Sequence, residues 1–142
     1  MFLTVASAGA AQGRIYKVLP QFLDKQGRHA LTPSLYDRDA YQAYLRKTPS
    51  KRSALRFAVQ WKAHVPATEP LLIRVEIRGT AETALSPATV LEATVHEHGW
   101  FSHWEYLKLD EKEYRKLGEV TAWRTTLWDG DKLLEERKSF LW

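Results

Sequence analysis

The sequence predicts a mainly β protein: an antiparallel sandwich of seven strands with one helix inserted between the first two. Three features lead to it. Residues 53–64 and 71–78 each alternate apolar and polar side chains with period two, the record of a strand with one buried and one wet face. Such alternation belongs to antiparallel sheets open to water on one side, whereas buried parallel strands read as unbroken apolar runs. Turn signals recur between short apolar runs, the strongest being Asp129-Gly130. With 142 residues, 44% hydrophobic and 27% charged, the chain suffices for one domain over residues 11–142 with a real core. It has no cysteine, so packing rather than disulfides must hold it.

Each element follows in order. The opening MFLTVASAGA is an apolar, small-residue run ending in Ala8-Gly9-Ala10; it fits the small-x-small cleavage rule, so residues 1–10 are expected to be a signal-peptide remnant. Arg14 to Leu19 alternates as a strand that Pro20 either ends or confines to an edge. Asp24-Lys25-Gln26-Gly27-Arg28 reads as a turn, with Gly27 free to take positive φ. Thr32-Pro33-Ser34, with Asp37 three residues past Ser34, predicts a helix from Ser34 to Lys47. Tyr36, Ala40 and Tyr44, flanked by Tyr41 and Leu45, make an apolar stripe expected to pack on the sheet. Leu55, Phe57, Val59, Trp61 and Ala63 form the buried face of the next strand, and Leu71, Ile73, Val75 and Ile77 that of the one after. Strands are then expected from Ala88 to His98 and from Phe101 to Leu109, a short connection from Asp110 to Leu117, and a long strand from Gly118 to Trp128. A type I′ turn at Asp129-Gly130 leads into the last strand.

The closing stretch GEVTAWRTTLWDGDKLLEERKSFLW resembles the final F and G strand pair of the immunoglobulin and fibronectin type III superfamily, and LKLDEKEYRKLGEV is similar to the turn before strand F that carries its tyrosine. The resemblance implies an immunoglobulin-like sandwich and leaves function open. The sequence departs from the family pattern in having no cysteine pair and in its inserted helix.

Composition narrows the function classes. No run approaches the ~20 apolar residues of a membrane helix. No G-x-S-x-G, Walker A, G-x-G-x-x-G or H-E-x-x-H motif occurs. The carboxylate pairs Asp37 with Asp39, Glu111 with Glu113 and Glu135 with Glu136 fall where turns and solvated faces are expected, without the cleft that acid–base work needs. The net charge of +4 is spread along the chain. Only residues 46–52, RKTPSKR, concentrate it, and these read as a solvated connection; nucleic-acid binding through this loop is the weakest reading, because no stacking aromatics interleave with it.

One motif does invite chemistry. In HEHGWFSH, residues 96–103, a tight turn at Gly99-Trp100 would place His96 across from His103 and Thr94 across from Glu105, with Val95 and Trp104 on the opposite, core-facing side together with Tyr106. His96, His98 and His103 would then share a face and could converge on Zn²⁺ or Cu²⁺, with Glu105 as a further ligand or support. The alternative is a polar hairpin face. Trp100 and Trp142 are the tryptophans whose positions suggest exposed anchors. The sequence therefore points to a non-enzymatic, cofactor-free binding or structural module, periplasmic or secreted, with a protein or cell-envelope partner. A metal-binding protein built on the three histidines is the alternative.

Overall fold

The computed structural model describes residues 12–64, 70–81, 87–96 and 101–142, so the expected signal-peptide remnant lies outside the described residues. The chain runs β1 (Gln12–Asp24), α1 (Leu35–Lys47), a short 3₁₀ turn (Pro49–Lys51), β2 (Arg52–His64), β3 (Leu71–Gly79), β4 (Thr89–Val95), β5 (His103–Asp110), α2 (Glu111–Leu117), β6 (Val120–Asp129) and β7 (Lys132–Lys138). The protein is mainly β, with a three-stranded sheet in the order β1-β2-β5 and a four-stranded sheet in the order β4-β3-β6-β7. Every strand pairing is antiparallel.

Alternation in β2 and β3 builds the core. Phe57, Val59 and Trp61 from one sheet and Ile73, Val75 and Ile77 from the other belong to a single apolar cluster, joined by Leu107 and Leu109 of β5 and Leu127 of β6. Each fully buried aliphatic side chain of β3 contributes roughly 1.5–3 kcal/mol relative to exposure. The hydroxyl of Thr125, wholly buried in β6, is among the buried polar atoms that the packing leaves without a hydrogen-bond partner among the described residues.

β1 continues through Pro20, because an edge strand tolerates a residue without an N–H; Pro20 sits across from Phe57 in an extended register. A bulge between Ile15 and Lys17 displaces Tyr16. At the end of β1, Gly27 takes φ +78, and the Asp24 carboxylate accepts from the Gln26 and Arg28 amides at 2.9 and 2.8 Å.

α1 begins at the Ser34 cap, whose hydroxyl faces the Asp37 amide at 3.5 Å, while Thr32 donates to Asp37 at 2.8 Å. Its predicted stripe is corrected. Tyr36 is 82% exposed and Ala40 and Tyr44 also face water; the inward positions are Tyr41, Gln42 and Leu45. Polar anchoring sets this rotation: Tyr41 donates to Asp24 at 2.6 Å, and the Gln42 amide bonds the β1 backbone. Most of the 46–52 stretch faces water, as its composition suggests, but its last residue does not. Arg52 is buried, its guanidinium donating to the Leu45 carbonyl at 2.6 Å and to the Arg46 carbonyl while lying 4.1 Å over the Phe22 ring. It thereby satisfies carbonyls that the last turn of a helix leaves open.

The expected connection 110–117 is a second helix. Asp110 caps α2 through the Glu113 amide at 3.0 Å, and Gly118, at φ +79, closes it with an N–H to the Tyr114 carbonyl. Where α2 ends, Gly79 of β3 comes so close that a Cβ would overlap the Leu117 carbonyl. The last turn is also corrected: Asp129 pairs with Lys132, so the central residues are Gly130 and Asp131. Only Gly130 has positive φ, at +57, as a type II′ turn requires and a type I′ turn does not allow.

Candidate binding face

The histidine cluster does not assemble as expected. β4 pairs with β3 and β5 pairs with β2, so the chain between them crosses from one sheet to the other instead of folding back as a hairpin. Thr94 lies opposite Leu72, Val95 opposite Leu71, Trp104 opposite Gln60 and Glu105 opposite Val59. His96 is exposed just past β4, and His103 starts β5 opposite Trp61, with ring centroids 6.0 Å apart. His98 and Trp100 lie outside the described residues. Among the described residues no group of three or more His, Asp or Glu side chains is placed to hold a metal ion.

The crossing also inverts the expected faces of β5. Leu107 and Leu109 point into the core with His103, while Trp104 and Tyr106 point outward, 39% and 51% exposed. The run WEYLKL carries large apolar side chains in both phases, and a strand can bury only one of them. Pairing with β2 buries the leucines.

Strand pairing places the outward aromatics on a continuous face of the three-stranded sheet. Lys17, Gln60 and Trp104 lie in one row across β1, β2 and β5; Leu19, Ala58 and Tyr106 lie in the next. Arg14 and Lys62 extend the face on one side, and Gln21, Arg56 and Lys108 on the other. Ala58 is buried between its larger neighbours. Arg56 stacks 4.4 Å over the Tyr106 ring and donates to Gln21 at 2.7 and 3.2 Å, so its guanidinium is engaged. It also approaches His29 Nδ1 at 3.3 Å. Burial, with the positive fields of Arg56 and Arg38, holds the His29 imidazole below its ordinary pKa. Gln60 donates one amide N–H to Ser102 at 3.0 Å. No ion pair among the described residues engages Arg14, Lys17, Lys62 or Lys108.

The other sheet contrasts with this. On its outer side Arg74 pairs with Glu92 at 3.5 Å, and Arg124 with Glu76 at 3.4 Å and Glu136 at 2.8 Å, a ladder of neutralised charge. The cations of the aromatic face have no such neutralising partners among the described residues. Past Arg14 and Lys62 that face opens into a cleft of about 740 Å³ at the sheet edge, where Tyr16, His64 and Lys132 add to the lining.

The remaining candidates serve structure. Asp24 is only 3% exposed, but its oxygens accept from Tyr41, from the Gln26 amide and from the backbone and side chain of Arg28. Burial pushes this carboxyl up, and the hydrogen bonds outweigh that, leaving its pKa below the ordinary value. Asp39 meets Arg38, Glu111 meets Lys25, and Glu113 meets Lys116, all as surface ion pairs. Trp142 is half-buried, with the Arg78 guanidinium 5.3 Å from its ring, so it is not the open anchor its terminal position suggests. No described helix is long and apolar enough to cross a membrane.

No protein-family model matches this chain, and comparison with curated proteins and with solved structures finds no match. The face must be interpreted from its own chemistry.

Proposed function

We propose that the chain is a non-enzymatic, exported β-sandwich that works as a binding module of the cell envelope, through the outer face of β1, β2 and β5. The observation that carries this is the pair Trp104 and Tyr106, two large rings held toward water on a regular strand beside cations without acidic partners among the described residues. Exposed aromatics on a rigid sheet supply contact area at little entropic cost, and clustered exposed apolar area marks interaction surfaces.

An immunoglobulin-like topology draws support from the strand order. The first, second and fifth strands share one sheet; the third, sixth and seventh share the other, with the fourth added beside the third. This is the partition of an immunoglobulin sandwich whose fourth strand has joined the CFG sheet. Export rests on the leader-like MFLTVASAGA.

Two measurements test the proposal. Cell fractionation of the expressed chain should place it in the periplasm or medium, with cleavage after Ala10; retention of the uncleaved chain in the cytoplasm overturns export. Purified protein should sediment with isolated cell envelopes, and a Trp104→Ala, Tyr106→Ala double variant should not. Equal sedimentation of the two overturns the assignment of the face.

A further inference from the structure

Resting on that reading, we propose that the ligand of this face is an acidic polysaccharide, a polymer of sugar rings bearing carboxylates. Four kinds of observation converge on it. Charge comes first: Arg14, Lys17, Lys62 and Lys108 surround the rings, without an ion-pair partner among the described residues. A polyanion is the complement of such a surface. Second, the C–H faces of sugar rings pack on aromatic rings, whose faces are electron-rich, and Trp104 and Tyr106 present two of them one strand repeat apart, roughly 6.6–6.8 Å. Third, Gln60 lies in the row of Trp104 and gives a single N–H to Ser102, and no other described residue engages its amide, which leaves it for ligand hydroxyls. Fourth, the face is long. From Arg56 to His64 it extends roughly 27 Å along β2 and runs on into the cleft beside Tyr16 and Lys132, which suits a polymer better than a single sugar.

The same residues speak against a nucleic acid. Phosphodiesters are best held by guanidinium forks, and of the two guanidiniums on this face that of Arg56 is occupied by Gln21 and Tyr106, which leaves Arg14 beside three lysines. The cations left open are mostly lysines, point charges that suit carboxylates set at varied angles. An acidic polypeptide would satisfy the charges and leave the two rings without planar partners.

The test is a tryptophan-fluorescence titration of the full chain with four polymers: polygalacturonate, its methyl ester, poly-L-glutamate and poly(dT). The expected result is saturable, salt-sensitive binding of polygalacturonate, weakened about tenfold or more by esterification and by the Trp104→Ala, Tyr106→Ala double change. Poly-L-glutamate should bind about tenfold more weakly than polygalacturonate. Lys17→Ala with Lys62→Ala should weaken binding and its salt dependence together. Because all four residues are at the surface, thermal melts of these variants should match wild type; if the aromatic double variant melts early, Lys17→Ala alone serves, read by its salt slope. Equal affinity for poly-L-glutamate overturns the proposal in favour of charge alone. Tighter binding of poly(dT) overturns it in favour of a nucleic acid. Absence of polygalacturonate binding, with envelope sedimentation still lost in the double variant, overturns the ligand class and leaves the binding face standing.

Discussion

Gln42 of α1 pairs with the peptide of Phe22 as a neighbouring strand would: the Phe22 N–H donates to Gln42 Oε1 at 2.7 Å, and Gln42 Nε2 donates back to the Phe22 carbonyl at 2.9 Å. The same amide group reaches the His29 carbonyl at 2.8 Å. One side chain thus fills part of the open edge of β1 and docks the helix. Replacing it with Leu leaves three backbone groups without that partner, and about 1–3 kcal/mol of stability should be lost. Urea unfolding measures this; an unchanged midpoint would mean that water substitutes fully for the amide.

Asp24 ties the turn after β1 to α1, and its stabilising effect has a definite pH window. The folded-state pKa is depressed, so the contribution is full above the unfolded value of about 3.9 and is lost as pH falls through the folded value. Asp24→Asn should therefore melt below wild type at pH 7 and converge with it in acid. Parallel melting curves from pH 7 to pH 2 would remove the carboxylate from this role.

Two tryptophans should behave in opposite ways. Trp61 is buried at the centre of β2, and Trp61→Ala should cost about 3–5 kcal/mol through lost burial and the cavity it leaves. Trp104→Ala, on the outer face, should stay within about 1 kcal/mol of wild type. Chemical denaturation of both variants checks the inverted phase of β5 directly.

Metal should do little. His96 follows a strand of one sheet and His103 opens a strand of the other. A built site at a metal concentration a hundred times Kd would add about 2.7 kcal/mol. Melts with micromolar Zn²⁺ or Cu²⁺ after chelator treatment should shift only slightly, and equally in wild type and His96→Ala. A large shift abolished by that change would restore a metal role for the histidines.

Gly79 lies directly against the end of α2, with no room for a side chain. Gly79→Ala places a methyl group against the Leu117 carbonyl, and the end of β3 must then separate from α2. A loss of about 1–3 kcal/mol is expected, with hydrogen exchange accelerated at Ala81, whose amide donates to Leu117 at 3.1 Å. Unaltered exchange there would place the strain elsewhere.

The buried faces of β2 and β3 are legible from the sequence because a half-buried antiparallel strand writes its burial as strict alternation, and Leu55 to Ala63 and Leu71 to Ile77 obey it. β5 is not legible in this way. Trp104 and Tyr106 compete with Leu107 and Leu109 for the core, and only the choice of β2 as partner decides between the two phases. That choice is a long-range fact. The hairpin expected at the histidine motif is replaced for the same reason, since a Gly-containing hairpin and a crossover between sheets look alike over eight residues. On α1, the aromatic stripe at four-residue spacing suggested packing, but hydrogen bonds from Tyr41 and Gln42 to residues about twenty positions earlier fix the rotation. The binding face could have been glimpsed in the outward set Arg56, Gln60 and Lys62. Its aromatic half required the pairing of β5.

Thr125 carries a last consequence. A fully enclosed hydroxyl without a partner among the described residues holds an interior below the firmness its shape would permit, since an apolar group of the same outline avoids the penalty of an unsatisfied polar atom. This fold therefore has room to be made more heat-resistant by a single change, Thr125→Val, in the opposite sheet from Trp104 and Tyr106. An engineer could harden the scaffold first and vary its recognition chemistry afterwards, since Thr125 lies in the core and the two rings lie on the outer side of the other sheet.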